Sequence, residues 1–151
     1  MSAKFGPAGN CERFSKVHKS SLDAPQWIAD FGLDCYEYQC GKGVRVKKET
    51  AVRLGENARA AGITLSLHAP YFINLANPEN VAKNNSYVLS SCALADWMGA
   101  ARVVVHTGAL MGRTRREALD IAKGGMQVLL EAVDGAGLGH IALCPETMGK
   151  I

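Results

Sequence analysis

Three short apolar runs in this chain each lead into a side chain able to bind a metal, and they do so at almost equal intervals. Thr64-Leu65-Ser66-Leu67 runs into His68, Arg102-Val103-Val104-Val105 into His106, and Ile141-Ala142-Leu143-Cys144-Pro145 into Glu146. His106 follows His68 by 38 residues, and Glu146 follows His106 by 40. Two parallel strands need a crossover of a dozen or more residues between them, normally a helix, so this interval suits one strand–helix unit repeated. Each repeat puts its ligand-type residue at the C-terminal end of its strand.

In a (β/α) barrel that end of the strands is the rim on which active sites are built. Two imidazoles and a carboxylate meeting there suit a zinc-like ion with one position left open for water. The fold class expected is therefore α/β, a TIM-type (β/α) barrel. Reading along the chain gives about five strands and four helices. A strand is expected at 4–6. A first helix follows Asp23, with Pro25 in its first turn and Gly32 as its stop. A strand is expected at 34–40, then a helix over 48–61 with Ala51, Leu54, Ala58 and Ala61 on one face, then the strand ending at His68. Asn77-Pro78-Glu79 opens a third helix carrying Val81, Val88, Cys92, Ala95 and Met98, followed by the strand ending at His106. Thr114-Arg115-Arg116-Glu117 forms a capping box, in which the Thr and Glu side chains satisfy each other's free amides. The helix it opens is expected to turn Ala118, Ile121, Val128 or Leu129, and Ala132 inward, before the strand ending at Glu146.

A closed barrel has eight strands and eight helices in about 250 residues. Residues 1–151 thus read as a single partial barrel domain ending just after its fifth strand. Left alone, the first and last strands are open edges that invite pairing with another chain, so self-association through them is expected.

Composition narrows the setting. No apolar run is long enough to span a bilayer, and the start lacks the apolar stretch of a signal peptide. The five cysteines are odd in number and contain no C-x-x-C pair, which reads as reduced thiols in the cytoplasm. A net charge of +3 permits nucleic-acid binding without arguing for it.

His68-Ala69-Pro70-Tyr71-Phe72-Ile73-Asn74-Leu75 resembles a motif of the endonuclease IV family, metal-dependent apurinic/apyrimidinic endonucleases on a TIM barrel. Val104-Val105-His106-Thr107-Gly108 looks like that family's strand-four motif, and Pro145-Glu146-Thr147 sits where its bridging glutamate would. Order and spacing agree over most of the chain, which corresponds to the N-terminal part of the family's barrel. The resemblance implies hydrolysis of DNA backbones at abasic sites, in base-excision repair, by a cluster of three zinc ions. Carried over by position, His68 and His106 are ligands of the first zinc, and Glu146 is both a bridging ligand and the catalytic carboxylate. The later ligands have no counterpart in these residues, so one zinc site at most is expected from this chain. Tyr71 matches a tyrosine inserted into DNA, and Arg45, with Lys42 in the same loop, matches an inserted arginine loop less closely. Double-stranded DNA with abasic sites is the implied partner.

Three departures stand beside the resemblance. The first strand reads Phe5-Gly6-Pro7-Ala8-Gly9, without the family's histidine. Thr107 replaces the proline that usually follows the strand-four histidine. Thr147-Met148-Gly149-Lys150 replaces a different family sequence after the glutamate. They leave room for a sugar isomerase or epimerase on the same barrel, where one divalent ion polarises a carbonyl or hydroxyl pair while side chains move a proton. A third reading is an inactive fragment whose function belongs to a longer parent. Arg113, Arg115 and Arg116 read as a solvated face, and His18 and His140 as surface histidines without a partner pattern.

Overall fold

A computed structural model of the chain describes residues 3–147. Its centre is a four-stranded, all-parallel sheet in the order β1 (Cys35–Gln39), β2 (Thr64–His68), β3 (Arg102–His106) and β4 (Ala142–Glu146). Helices α3 (Lys48–Ala60), α4 (Val81–Met98) and α5 (Arg115–Gly135) make the crossovers, and α1 (Glu12–Val17) and α2 (Ala24–Asp30) precede the sheet. Strand–helix alternation around a parallel sheet is the architecture of a partial (β/α) barrel. No helix among the described residues is long and apolar enough to cross a membrane.

Two differences from the sequence-based expectation have local causes. The described residues hold five helices, because the short α1 precedes the four anticipated. They hold four strands, because the expected strand at 4–6 does not form as one. The chain there still runs beside β1: the amides of Asp34 and Cys35 donate to the Phe5 carbonyl, that of Glu37 to the Pro7 carbonyl, and that of Gly9 to the Glu37 carbonyl. Only Ala8 and Glu37 form a bridge. Pro7 has no N–H with which to return a ladder bond, so the pairing is interrupted where regular strand would begin. Gly6 also presses its backbone onto the Cys35 carbonyl, where any Cβ would collide.

Alternation along the strands decides what the rim receives. Leu65 and Leu67 of β2 and Val103 and Val105 of β3 are buried in the core, on the helix side of the sheet. Side chains one residue away point to the opposite face, so Ser66 and His68, Val104 and His106, and Cys144 and Glu146 share the concave face. The register adds a stagger. Gln39 pairs with His68 and His106 with Glu146, but His68 pairs with Val104, so His106 stands two residues further along than His68's partner.

The helices dock largely as their patterns require, and the structure decides the choice left open in α5. Ala51, Leu54 and Ala58 of α3 and Val88, Cys92, Ala95 and Met98 of α4 are buried, while Val81 is only partly so. In α5 the buried positions are Ala118, Leu129 and Val133; Val128 is exposed, and Ile121 and Ala132 sit at the margin. The inward stripe passes through Gly125, whose missing side chain lets α5 approach the Leu75 carbonyl. A stripe centred on that glycine turns Leu129 inward and Val128 out.

Candidate metal centre

Three strand ends meet at the C-terminal edge of the sheet. His68 Nε2 lies 2.9 Å from Glu146 Oε2, and His106 Nε2 lies 3.3 Å from the same oxygen. The two imidazoles cross nearly edge to face, with ring centroids 5.0 Å apart. One ligand atom from each of the three residues falls within 4.8 Å of the others. Both rings are largely covered and the carboxylate is about half exposed (48%), so the group is open on one side.

The hydrogen bonds behind the rings define what the front can do. His68 Nδ1 lies 2.7 Å from the Ala69 carbonyl, and His106 Nδ1 lies 2.8 Å from the Tyr71 carbonyl. A carbonyl only accepts, so each Nδ1 carries the proton, and in the neutral ring the Nε2 lone pair points forward. Two lone pairs then face one carboxylate oxygen. Acceptors at such distances require a positive charge between them, supplied either by imidazole protonation or by a cation. Histidine ligands of metals are held in this way, with the far nitrogen donating to a carbonyl or carboxylate. The donor set, its tautomers and its open side therefore fit a divalent ion of the zinc type. The Glu146 carboxyl is held below its ordinary value, chiefly by the hydrogen bond from His68, with smaller contributions from the charge of His68 and from His106.

Glu146 gains support from its neighbour strand. The Thr107 amide and hydroxyl both donate to the Glu146 carbonyl, at 3.3 and 3.1 Å. A proline at 107 could make neither bond, so this departure from the endonuclease IV pattern ties the end of β4 to β3.

Of the remaining sequence candidates, Tyr71 meets this group through its backbone carbonyl alone, among the described residues. Tyr71 lies in the loop after β2 and is 57% exposed. It packs edge-on against Phe72, which packs in turn on Tyr87 of α4. Lys42 and Arg45 are exposed in the loop after β1 and form no ion pair among the described residues. Residues 148–150, which distinguish this chain from the endonuclease IV pattern, lie outside the described residues. His18 and His140, read from the sequence as surface histidines without a partner pattern, face Asp23 at 3.3 Å and Asp96 at 2.8 Å respectively. A groove of about 500 Å³ lies away from the rim, between α2 and α3. Its polar groups bond one another, His18 to Asp23 and Gln26 to Asp30, so it offers no convergent chemistry.

Sequence reasoning did not single out Asn74, Asn84 and Gly108, which join the loops behind the two histidines and the glutamate. The signal available was Asn74 inside the His68–Leu75 motif.

The sheet and its rim define a class: a (β/α) barrel unit with two histidines and a carboxylate converging at the C-terminal ends of its strands. Residues 25–150 match the model of the xylose isomerase-like TIM barrel family, and the chain belongs to that family. It is 30% identical over 131 residues to an uncharacterized protein of Methanocaldococcus jannaschii, covering 82% of this chain and 44% of that one. It is 28% identical over 100 residues to a protein of Latilactobacillus sakei named a probable endonuclease 4, covering 60% of this chain and 33% of that one. Among solved structures it resembles endonuclease IV from Thermus thermophilus (TM-score 0.65, 20% identity, 96% of this chain and 51% of that one). It resembles D-psicose 3-epimerase from Clostridium cellulolyticum as well (TM-score 0.68, 14% identity, 87% of this chain and 48% of that one). At these identities the structural likeness speaks for the fold, which epimerases and endonucleases share. The chain spans less than half the length of the curated relatives it matches.

Proposed function

We propose that the chain is one domain, the N-terminal part of a metal-dependent phosphodiester hydrolase that cuts DNA at abasic sites. His68 and His106 would hold a divalent ion of the zinc type, with the Glu146 carboxylate as its third protein ligand. The observation that carries this reading is the loop 68–75. Its first residue belongs to the His68, His106 and Glu146 group, its fourth is an exposed tyrosine whose carbonyl bonds His106, and its sequence is of the endonuclease IV type. Relatives named for endonuclease 4 at 28% and 32% identity support it. A bound ion supplies Lewis acidity for an attacking water and for the charge on a phosphate. The chain's own residues orient that chemistry: the backbone carbonyls of Ala69 and Tyr71 fix the imidazoles, and Glu146 is ionised at neutral pH. Tyr71 stacks on bases beside the lesion, and Lys42 and Arg45 contact the phosphates around it.

A second reading, a sugar epimerase using the same ion, draws on the fold shared with D-psicose 3-epimerase. One experiment separates them. The zinc-loaded protein in its full length is offered a duplex carrying a tetrahydrofuran abasic analogue, and in parallel a panel of ketohexoses. Strand scission at the analogue, lost in His106→Ala, is expected. Intact DNA alongside turnover of a sugar would replace the first reading by the second.

A further inference from the structure

Behind the rim lies a set of contacts that metal binding itself does not use. Asn74 sits between the loop after β2 and the loop after β3. Its Oδ1 accepts from the Ala76 amide at 3.0 Å, within its own loop, and from the Ala109 amide at 3.3 Å, across the gap. Its backbone carbonyl accepts from Asn84 Nδ2 at 2.8 Å, and Asn84 is a buried polar residue of α4. Gly108 packs against the same carboxamide so closely that a Cβ there would lie 2.1 Å from Oδ1, with φ at +120°. Among the described residues the Asn74 Nδ2 has no hydrogen-bond partner, so the side chain works as an acceptor.

These contacts bear on His106 and not on His68. His68 bonds the carbonyl of Ala69, its own neighbour in the chain. His106 reaches across to Tyr71, 35 residues away, on the other loop. The two loops are thus joined twice, three residues apart on each: Tyr71 to His106 and Asn74 to Ala109. We propose that Asn74 is a positioning residue for the rim. By accepting the Ala109 amide it keeps the Tyr71 carbonyl in reach of His106, which holds that ring with Nδ1 protonated and Nε2 free. The purpose of this device rests on the metal-binding reading above, but the device can be observed without metal.

The test compares Asn74→Ala, Asn74→Asp and the unaltered chain, metal-free at pH 8, by long-range ¹H–¹⁵N correlation of the imidazole nitrogens. Zinc affinity is then measured by competition with a chelator. Asn74→Ala is expected to lose the single Nδ1-protonated form at His106, to keep it at His68, and to bind zinc roughly tenfold more weakly, the lower end of what loss of an outer-shell partner costs. Asn74→Asp keeps the accepting oxygen and is expected to restore both. If Asn74→Ala does not melt cooperatively, Gly108→Ala, which pushes the carboxamide aside, is read in the same way. An unchanged His106 signal in the variant, or an equal change at His68, overturns the inference. A wild-type chain that takes up no zinc yet holds His106 in one tautomer removes the metal reading and leaves the positioning role standing.

Discussion

The carboxyl of Glu146 shows how the chain prepares a charge at a strand end. Its folded-state pKa is depressed from 4.5 because its ionised form accepts from His68 and sits between two imidazoles. The sign follows: while the His68 ring carries a second proton on Nε2, the contribution of this contact to stability is present above about 4.5 and is lost as pH falls through the lower folded value of the carboxyl. Since the side chain is about half exposed, the effect is small and is best read site by site. Carboxyl ¹³C titration is expected to place Glu146 below 4.5 in the unaltered chain and nearer 4.5 in His68→Ala. The thiols show the opposite influence. Burial alone pushes Cys40 up to about 12 and Cys92 up to about 11, whereas Cys11 is exposed. Only the thiolate attacks disulfide reagents. At pH 8 a chromogenic disulfide is therefore expected to label Cys11 at once and to reach Cys40 and Cys92 only after denaturation. Rapid labelling of Cys92 in the native state would mean that α4 opens readily.

Element packing turns on a few positions without side chains. Gly55 in α3 lies against the last turn of α4, where a Cβ would come 2.3 Å from the Met98 carbonyl oxygen. Alanine is the better helix former by about 1 kcal/mol. Forcing a methyl group into closely packed backbone costs about 1–3 kcal/mol, so the clash outweighs the propensity. Gly55→Ala is expected to lower the denaturant midpoint, and a raised midpoint would show that α3 can move away freely. Glycines of this kind also mark the limit of what the sequence discloses. The capping box at Thr114 and Glu117 is legible because it is local, and it forms with the Thr114 hydroxyl and the Glu117 carboxylate in mutual contact. The inward register of α5 stays open between Val128 and Leu129 in the sequence, because the choice depends on where Gly125 meets Leu75 of another element. The expected strand at 4–6 failed for a similar reason. An extended run of residues is legible, but Pro7's missing ladder bond counts only once the partner strand is known.

At the scale of the whole molecule, the rim cluster joins β2, β3 and β4, strands whose terminal His68, His106 and Glu146 are separated by 38 and 40 residues in the chain. That much was legible, since a repeat of fixed length with one residue type at a fixed phase implies one edge of one sheet. What holds the two imidazoles was not legible, because the Tyr71 and Ala69 carbonyls and the Asn74 acceptor are backbone and loop features without a residue signature. An ion bound by three strands stabilises the folded chain by mass action, since the unfolded chain does not bring the ligands together. At a free zinc concentration about 100 times the dissociation constant the gain is about 2.7 kcal/mol. For a domain of about 150 residues that corresponds to a rise in melting temperature of roughly 5–10 °C. Zinc added to the chelator-treated chain is expected to produce this rise and excess chelator to reverse it. His106→Ala is expected to abolish it, and to lower the metal-free melting temperature somewhat as well, because the largely covered ring and its bond to the Tyr71 carbonyl are lost. If zinc raises the melting temperature of His106→Ala as much as that of the unaltered chain, the ion binds elsewhere, for instance at exposed Cys11, and the rim is not its site.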